Sequence, residues 1–141
     1  MNEGSLKKAA NASKINEANY VNTADAVIRY LKEESAKPKG TAVVSTSKIR
    51  NLLAMSADIY NEVLCLDTDE LSDECKSRIE YLKVRMIYEA GRDVAVKNLI
   101  DVSGMRGLLN KVKNKNKEFI LFNRYMESLV AFRKYYCGND D

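Results

Sequence analysis

Arg78, Arg85 and Arg92 recur every seven residues, and Tyr81 and Tyr88 fall between them. At ~100° per residue of helix, the three guanidiniums share one side and both phenol rings lie next to them. Arginines in such a row bind phosphates bidentately, and adjacent tyrosines stack bases or buttress the arginines. A plainer reading competes. Glu74, Glu89 and Asp93 would neutralise the row, with Glu74–Arg78 and Arg85–Glu89 as i,i+4 surface pairs worth ~0.3–0.5 kcal/mol each, and the tyrosines would pack on a neighbouring helix. A second basic feature is Thr46-Ser-Lys-Ile-Arg50. The free N–H groups of a helix start attract phosphate, so Lys48 and Arg50 in a first turn suit an anion site; ordinary capping with tolerated cations explains them too. The third is the run 111–117, four lysines in seven residues, which fits a phosphate backbone and a solubilising turn alike.

Other chemistries lack their residues. The chain has no histidine, which removes the commonest general acid/base and the commonest metal ligand. It contains no phosphate-binding glycine loop, dinucleotide fingerprint or nucleophile elbow. Cys65, Cys75 and Cys137 are odd in number and lack CxxC spacing, so they read as small apolar core residues in a reduced compartment rather than disulfides or zinc ligands. No enzyme, metal or cofactor is expected. A net charge of +3 on 141 residues is weakly basic, so any polyanion must meet a local face or several copies sharing the work. No stretch is apolar enough for a signal peptide or membrane anchor, and a cytoplasmic protein is expected.

The elements that must carry these side chains are helical. One proline and six glycines in a chain rich in Ala, Leu, Lys and Glu point to an all-α protein, and only residues 41–44 look strand-like. Residues 1–22 carry no apolar stripe and read as a flexible tail. Thr23 caps a first helix through about residue 34, and the segment 35–45, with Pro38 and Gly40, reads as a linker. Ser45 or Thr46 caps a helix to about residue 66, striped by Ile49, Leu52, Leu53, Ile59, Tyr60, Val63 and Leu64. A third runs from about 71 to 90, closed by Gly91. A shorter helix spans about 93–102, a poorly defined turn of helix follows near 105–112, and the last runs about 117–136 until Gly138. The whole is a compact bundle of about five helices, residues 23–138 forming a single domain and residues 139–141 an acidic end. Two charges stand out of pattern: Glu89 beside the apolar stripe of the third helix, and Arg133 on the apolar side of the last. Pairing across the helix interface is the simplest account, because a lone buried charge is costly.

Three strings are less generic. Thr46-Ser-Lys-Ile-Arg-Asn-Leu-Leu53 opening a helix, and Glu80-Tyr-Leu-Lys-Val-Arg-Met-Ile-Tyr-Glu-Ala-Gly-Arg92 closing another, resemble the small subunit of type III-A CRISPR effector complexes, the Csm small subunit. The stretch Tyr125-Met-Glu-Ser-Leu-Val-Ala-Phe-Arg-Lys-Tyr-Tyr136 is similar to that family's ending. Together the three cover about residues 45–137 in order. The resemblance implies a non-catalytic, all-helical RNA-binding protein, several copies of which line a ribonucleoprotein filament beside its backbone and large subunits. Its basic face would follow the guide RNA–target RNA duplex through backbone contacts, in antiviral and antiplasmid defence, while other subunits cut. Carried over by motif, Lys48 and Arg50 from the first string and Lys83, Arg85 and Arg92 from the second would contact RNA, joined by Arg124, immediately before the third string, and by Arg133 and Lys134 within it. Arg78 joins them from the arginine row. The competing reading is a helical protein–protein adaptor that touches no RNA.

Overall fold

The structure, a computed structural model, describes residues 14–138. Six helices account for most of them: α1 (Tyr20–Ser35), α2 (Thr46–Leu64), α3 (Asp73–Arg92), α4 (Val94–Ser103), α5 (Met105–Asn110) and α6 (Asn116–Cys137). The all-helical bundle expected from the sequence is therefore present, with one helix more. The turn anticipated near 105–112 is α5, which leaves α4 through Gly104 at φ 70°. That left-handed backbone is open to glycine at little cost and strains other residues. No strand occurs among the described residues; residues 41–44 are irregular, and a single bridge joins Glu70 to Lys115.

The centre of the bundle is α6. Phe119, Phe122, Tyr125 and Leu129 are fully buried on it and Met126 nearly so, a spacing that keeps one broad stripe turned inward. Each such side chain contributes about 1.5–3 kcal/mol by leaving water. Helices α1 and α2 lie along this stripe, while α3 packs on α2 and α4. Two polar contacts are built into the apolar seam. Ser56 Oγ on α2 donates to Asn123 Oδ1 on α6 at 2.7 Å, and Tyr125 Oη donates to the Ser103 carbonyl at 2.7 Å. Burial pushes the Tyr125 phenol well above its usual range, so it remains a neutral donor holding the end of α4.

Helix ends follow local chemistry with some departures. Ser45 Oγ accepts the Lys48 amide at the start of α2, and Ser72 Oγ accepts the Cys75 amide at the start of α3, as N-caps do. Helix α1 begins at Tyr20, ahead of the expected Thr23 cap. Thr23 is instead buried inside the helix, and Asn16 folds the preceding turn by accepting the amides of Ala18 and Asn19. Ile15 is also buried, so part of the stretch read as a tail packs on the bundle; residues 1–13 and 139–141 lie outside the described residues. Gly91 does not close α3. The helix runs through it to Arg92 and ends because Asp93 turns extended, φ −149°, to cap α4. Of the cysteines expected in the core, Cys75 is buried, Cys137 half-buried and Cys65 exposed.

Candidate nucleic-acid interface

The arginine row of α3 is real, and each member has a partner. Arg78 Nη1 donates to Glu62 Oε2 on α2 at 2.8 Å. That hydrogen bond holds its guanidinium above the ordinary value. Glu62 also accepts from the Cys75 thiol at 3.6 Å. The partner expected from helix spacing was Glu74; α2 packs close enough to present a better-placed acid instead. Arg85 bonds Glu89 at 3.2 Å, and Arg92 lies 3.9 Å from the same carboxylate. Both guanidiniums sit over the Tyr88 ring, 5.3 and 5.6 Å from its centroid, within cation–π range. The tyrosines are largely exposed rather than buried against a neighbouring helix. Tyr81 is 64% exposed and Tyr88 54%. Tyr81, Arg78 and Arg85 edge a groove between α2 and α3 whose other wall carries Asn51 and Asp58.

Lys48 joins this row from below. Its ammonium pairs with Asp93, the residue that ends α3 and caps α4 by accepting the Ala95 and Val96 amides at 2.9 and 3.2 Å. The start of α2 is thus pinned to the corner where Arg92 leaves α3. The Lys48 hydrogen bond, assisted by the two amides and opposed by burial, holds the Asp93 carboxyl below its ordinary value of 3.8. A lowered carboxyl stabilises the fold fully at neutral pH, and that stabilisation fades as pH falls below the unfolded value toward the folded one. Asp93→Asn keeps a cap acceptor but loses the charge. Its stability deficit, measured by urea unfolding, is expected at neutrality and to vanish in acid. Asp93→Ala is expected to cost about 1 kcal/mol more, from the lost cap. A deficit independent of pH would assign the corner to capping alone.

The remaining candidates divide. Arg50 is exposed and makes no ion pair among the described residues; it faces α6 rather than α3, across a small cavity lined by Val130 and Lys134. Arg124 and Lys134 are exposed on α6. Lys83 bonds Glu80 at 3.1 Å and lies two residues before Arg85, about 200° round the helix at ~100° per residue, so it does not belong to the row. Arg133 is a correction. It is 1% exposed, and its Nε and Nη1 donate at 2.8 Å to the carbonyls of Val44 and Gly138. Such a guanidinium has no face to offer a phosphate. Nor does it pair with Glu89, whose carboxylate is taken by Arg85 and Arg92.

The lysine run 111–117 is fastened rather than loose. Glu118 Oε1 accepts the amides of Lys113, Asn114 and Lys115 at 2.9 to 3.1 Å. Burial would raise its carboxyl, but the three amides outweigh this and it lies below the ordinary value. Lys115 pairs with Glu70 at 3.3 Å, and Leu71 donates to the Asn114 carbonyl at 2.7 Å. The segment is the anchored turn from which α6 starts. Lys111, Lys113 and Lys117 are left exposed.

Among the described residues, no group of three or more cysteine or carboxylate side chains is placed to hold a metal ion, and no helix is long and apolar enough to cross a membrane. Fold and site together define a small helical bundle that carries a row of arginines and exposed tyrosines on one outer helix. Known proteins narrow that class. Residues 21–139 match the family model described as Csm2 Type III-A, and the chain belongs to that family. It is 35% identical to the CRISPR system Cms protein Csm2 of Streptococcus thermophilus over 126 residues, 89% of this chain and 98% of that one. The protein of the same name from Enterococcus italicus is 39% identical over 99 residues, covering 69% of this chain and 71% of its own. That from Mycobacterium tuberculosis is 32% identical over 121 residues, 86% and 94% of the two chains. The resemblance carried by the three strings thus extends over nearly the whole chain.

Proposed function

We propose that this chain is the non-catalytic small subunit of a type III-A CRISPR ribonucleoprotein, a single helical domain that lies along the guide RNA–target RNA duplex and holds its backbone. Family membership supports a place beside the other Csm subunits and further copies of itself, in a cytoplasmic complex. The observation that carries the RNA reading is the charge balance on α3. Arg85 and Arg92 share one carboxylate, which leaves surplus positive charge and unused N–H donors on an exposed helix face. Glu62, Glu89 and Asp93 are engaged by Arg78, Arg85, Arg92 and Lys48, with Asp58 and Glu74 also near Arg78, an arrangement that favours an anion at the Arg85–Arg92 end of the row. A subunit that serves any guide gains nothing from reading bases, because pairing supplies the specificity. Exposed Val84, Ile87 and Tyr135 favour protein contacts as well, so the adaptor role and the RNA role occupy one molecule.

Arg50, exposed and free of ion pairs among the described residues, gives the cleanest test, because its reversal disturbs no corner of the fold. In the assembled complex Arg50→Glu is expected to weaken target RNA binding by about tenfold at low salt, alike for several unrelated guide–target pairs, with the gap narrowing as salt rises. An unchanged affinity in a fully assembled complex would remove Arg50 from the interface. A loss confined to one target sequence would contradict backbone recognition.

A further inference from the structure

On the outer side of α3 two arginines reach one oxygen atom. Oε2 of Glu89 lies 3.2 Å from Arg85 Nη2 and 3.9 Å from Arg92 Nη1, and both guanidiniums cover the Tyr88 ring. Helix spacing builds the arrangement: Glu89 is four residues after Arg85 and three before Arg92, and Tyr88 is three after the first and four before the second. The Glu89 side chain is 13% exposed against 38% and 56% for the arginines, so the acid stands behind them. Two like charges would otherwise repel each other and sample many rotamers. The carboxylate restrains both, and the ring supplies a flat platform that sets their planes. One acid cannot occupy ten N–H donors, and on side chains 38% and 56% exposed the rest are open to another anion.

We propose that Arg85, Tyr88, Glu89 and Arg92 form one phosphate-binding fork for an RNA backbone, in which Arg85 and Arg92 touch the phosphate and Glu89 and Tyr88 are positioning residues. The proposal rests on the RNA-backbone reading above and adds a consequence contrary to charge counting: an acid strengthens the binding of a polyanion.

The assembled complex carrying its guide is titrated with complementary target RNA, using wild type, Glu89→Gln, Tyr88→Ala, Tyr88→Phe and the double variant Arg85→Ala/Arg92→Ala. Glu89→Gln is expected to weaken binding about fivefold although it raises the net charge by one, and Tyr88→Ala to weaken it similarly. Tyr88→Phe, the conservative variant, is expected to recover the affinity lost in Tyr88→Ala, because the ring rather than the hydroxyl supports the guanidiniums. Tighter binding by Glu89→Gln would overturn the fork, as would a Tyr88→Phe variant as weak as Tyr88→Ala. The double arginine variant separates the two failures. If it binds normally, the RNA reading of this row is wrong; if it binds weakly while Glu89→Gln binds tightly, the row stands and the fork falls. Should Glu89→Gln fail to assemble, the Tyr88 pair, on an exposed ring, decides the matter alone.

Discussion

Arg133→Ala is expected to destabilise the bundle by about 3–4 kcal/mol, a large share of the 5–15 kcal/mol typical of a domain. The guanidinium is 1% exposed, and its donors reach the carbonyls of Val44 and Gly138, both at 2.8 Å. Val44 precedes the Ser45 cap of α2, and Gly138 ends α6. One side chain therefore ties the entry of α2 to the exit of α6. Hydrogen bonds from a charged donor contribute about 1.5–3 kcal/mol, and a buried carbonyl left without a donor costs about 1–3 kcal/mol. The truncated stem also leaves a cavity. Arg133→Met restores most of the volume but no donor, so it is expected to recover only the cavity part of the loss. Urea unfolding of the three proteins reads this directly, as a shift of midpoint with little change of slope. A methionine variant as stable as wild type, or more stable, would show that the two carbonyls find other partners and that the arginine is not structural.

The same residue shows where the sequence is legible and where it is not. The stripe of α6 and the Ser45 cap of α2 are properties of neighbours along the chain, readable from spacing and side-chain type. So is the common side of Arg78, Arg85 and Arg92. Arg133 also lies on the apolar side of its helix by spacing, but it donates to two backbone carbonyls, and a carbonyl leaves no mark in a sequence. Glu89 and Arg133 share nothing except being charges out of pattern, which suggested a pair that the fold does not make. Glu62 competes successfully with Glu74 for Arg78 because α2 packs against α3, a fact of tertiary approach rather than periodicity. Gly91 failed as a stop for a different reason. A glycine permits a left-handed exit without requiring one, and Asp93 two residues on offered both a cap for α4 and an ion pair for Lys48. Lys83 was carried by a motif, and a motif states which residue follows which; the helix turns it away from the arginines all the same.

Arg85→Glu/Arg92→Glu is expected to lower the affinity of the assembled complex for target RNA by about a hundredfold or more at low salt, the largest functional effect of any pair on this surface. Two attractive groups become two repulsive ones on a face that already holds Glu89, so repulsion adds to the lost contacts. Each neutralised phosphate lost flattens the plot of log affinity against log salt by roughly 0.7–0.9, so the double variant, whose two arginines share one phosphate, should flatten it by about that much for each copy engaged. The loss is expected to be alike for unrelated targets, because the row meets phosphates and pairing meets bases. The adaptor reading makes an opposite demand on the same variant. If the row serves only protein neighbours, reversing it disrupts assembly, while any complex that still assembles binds RNA with the salt slope of wild type. Size-exclusion chromatography of the reconstituted complex separates those outcomes before any RNA is added. A full complement of subunits together with a flattened salt slope is compatible with the RNA-facing row alone.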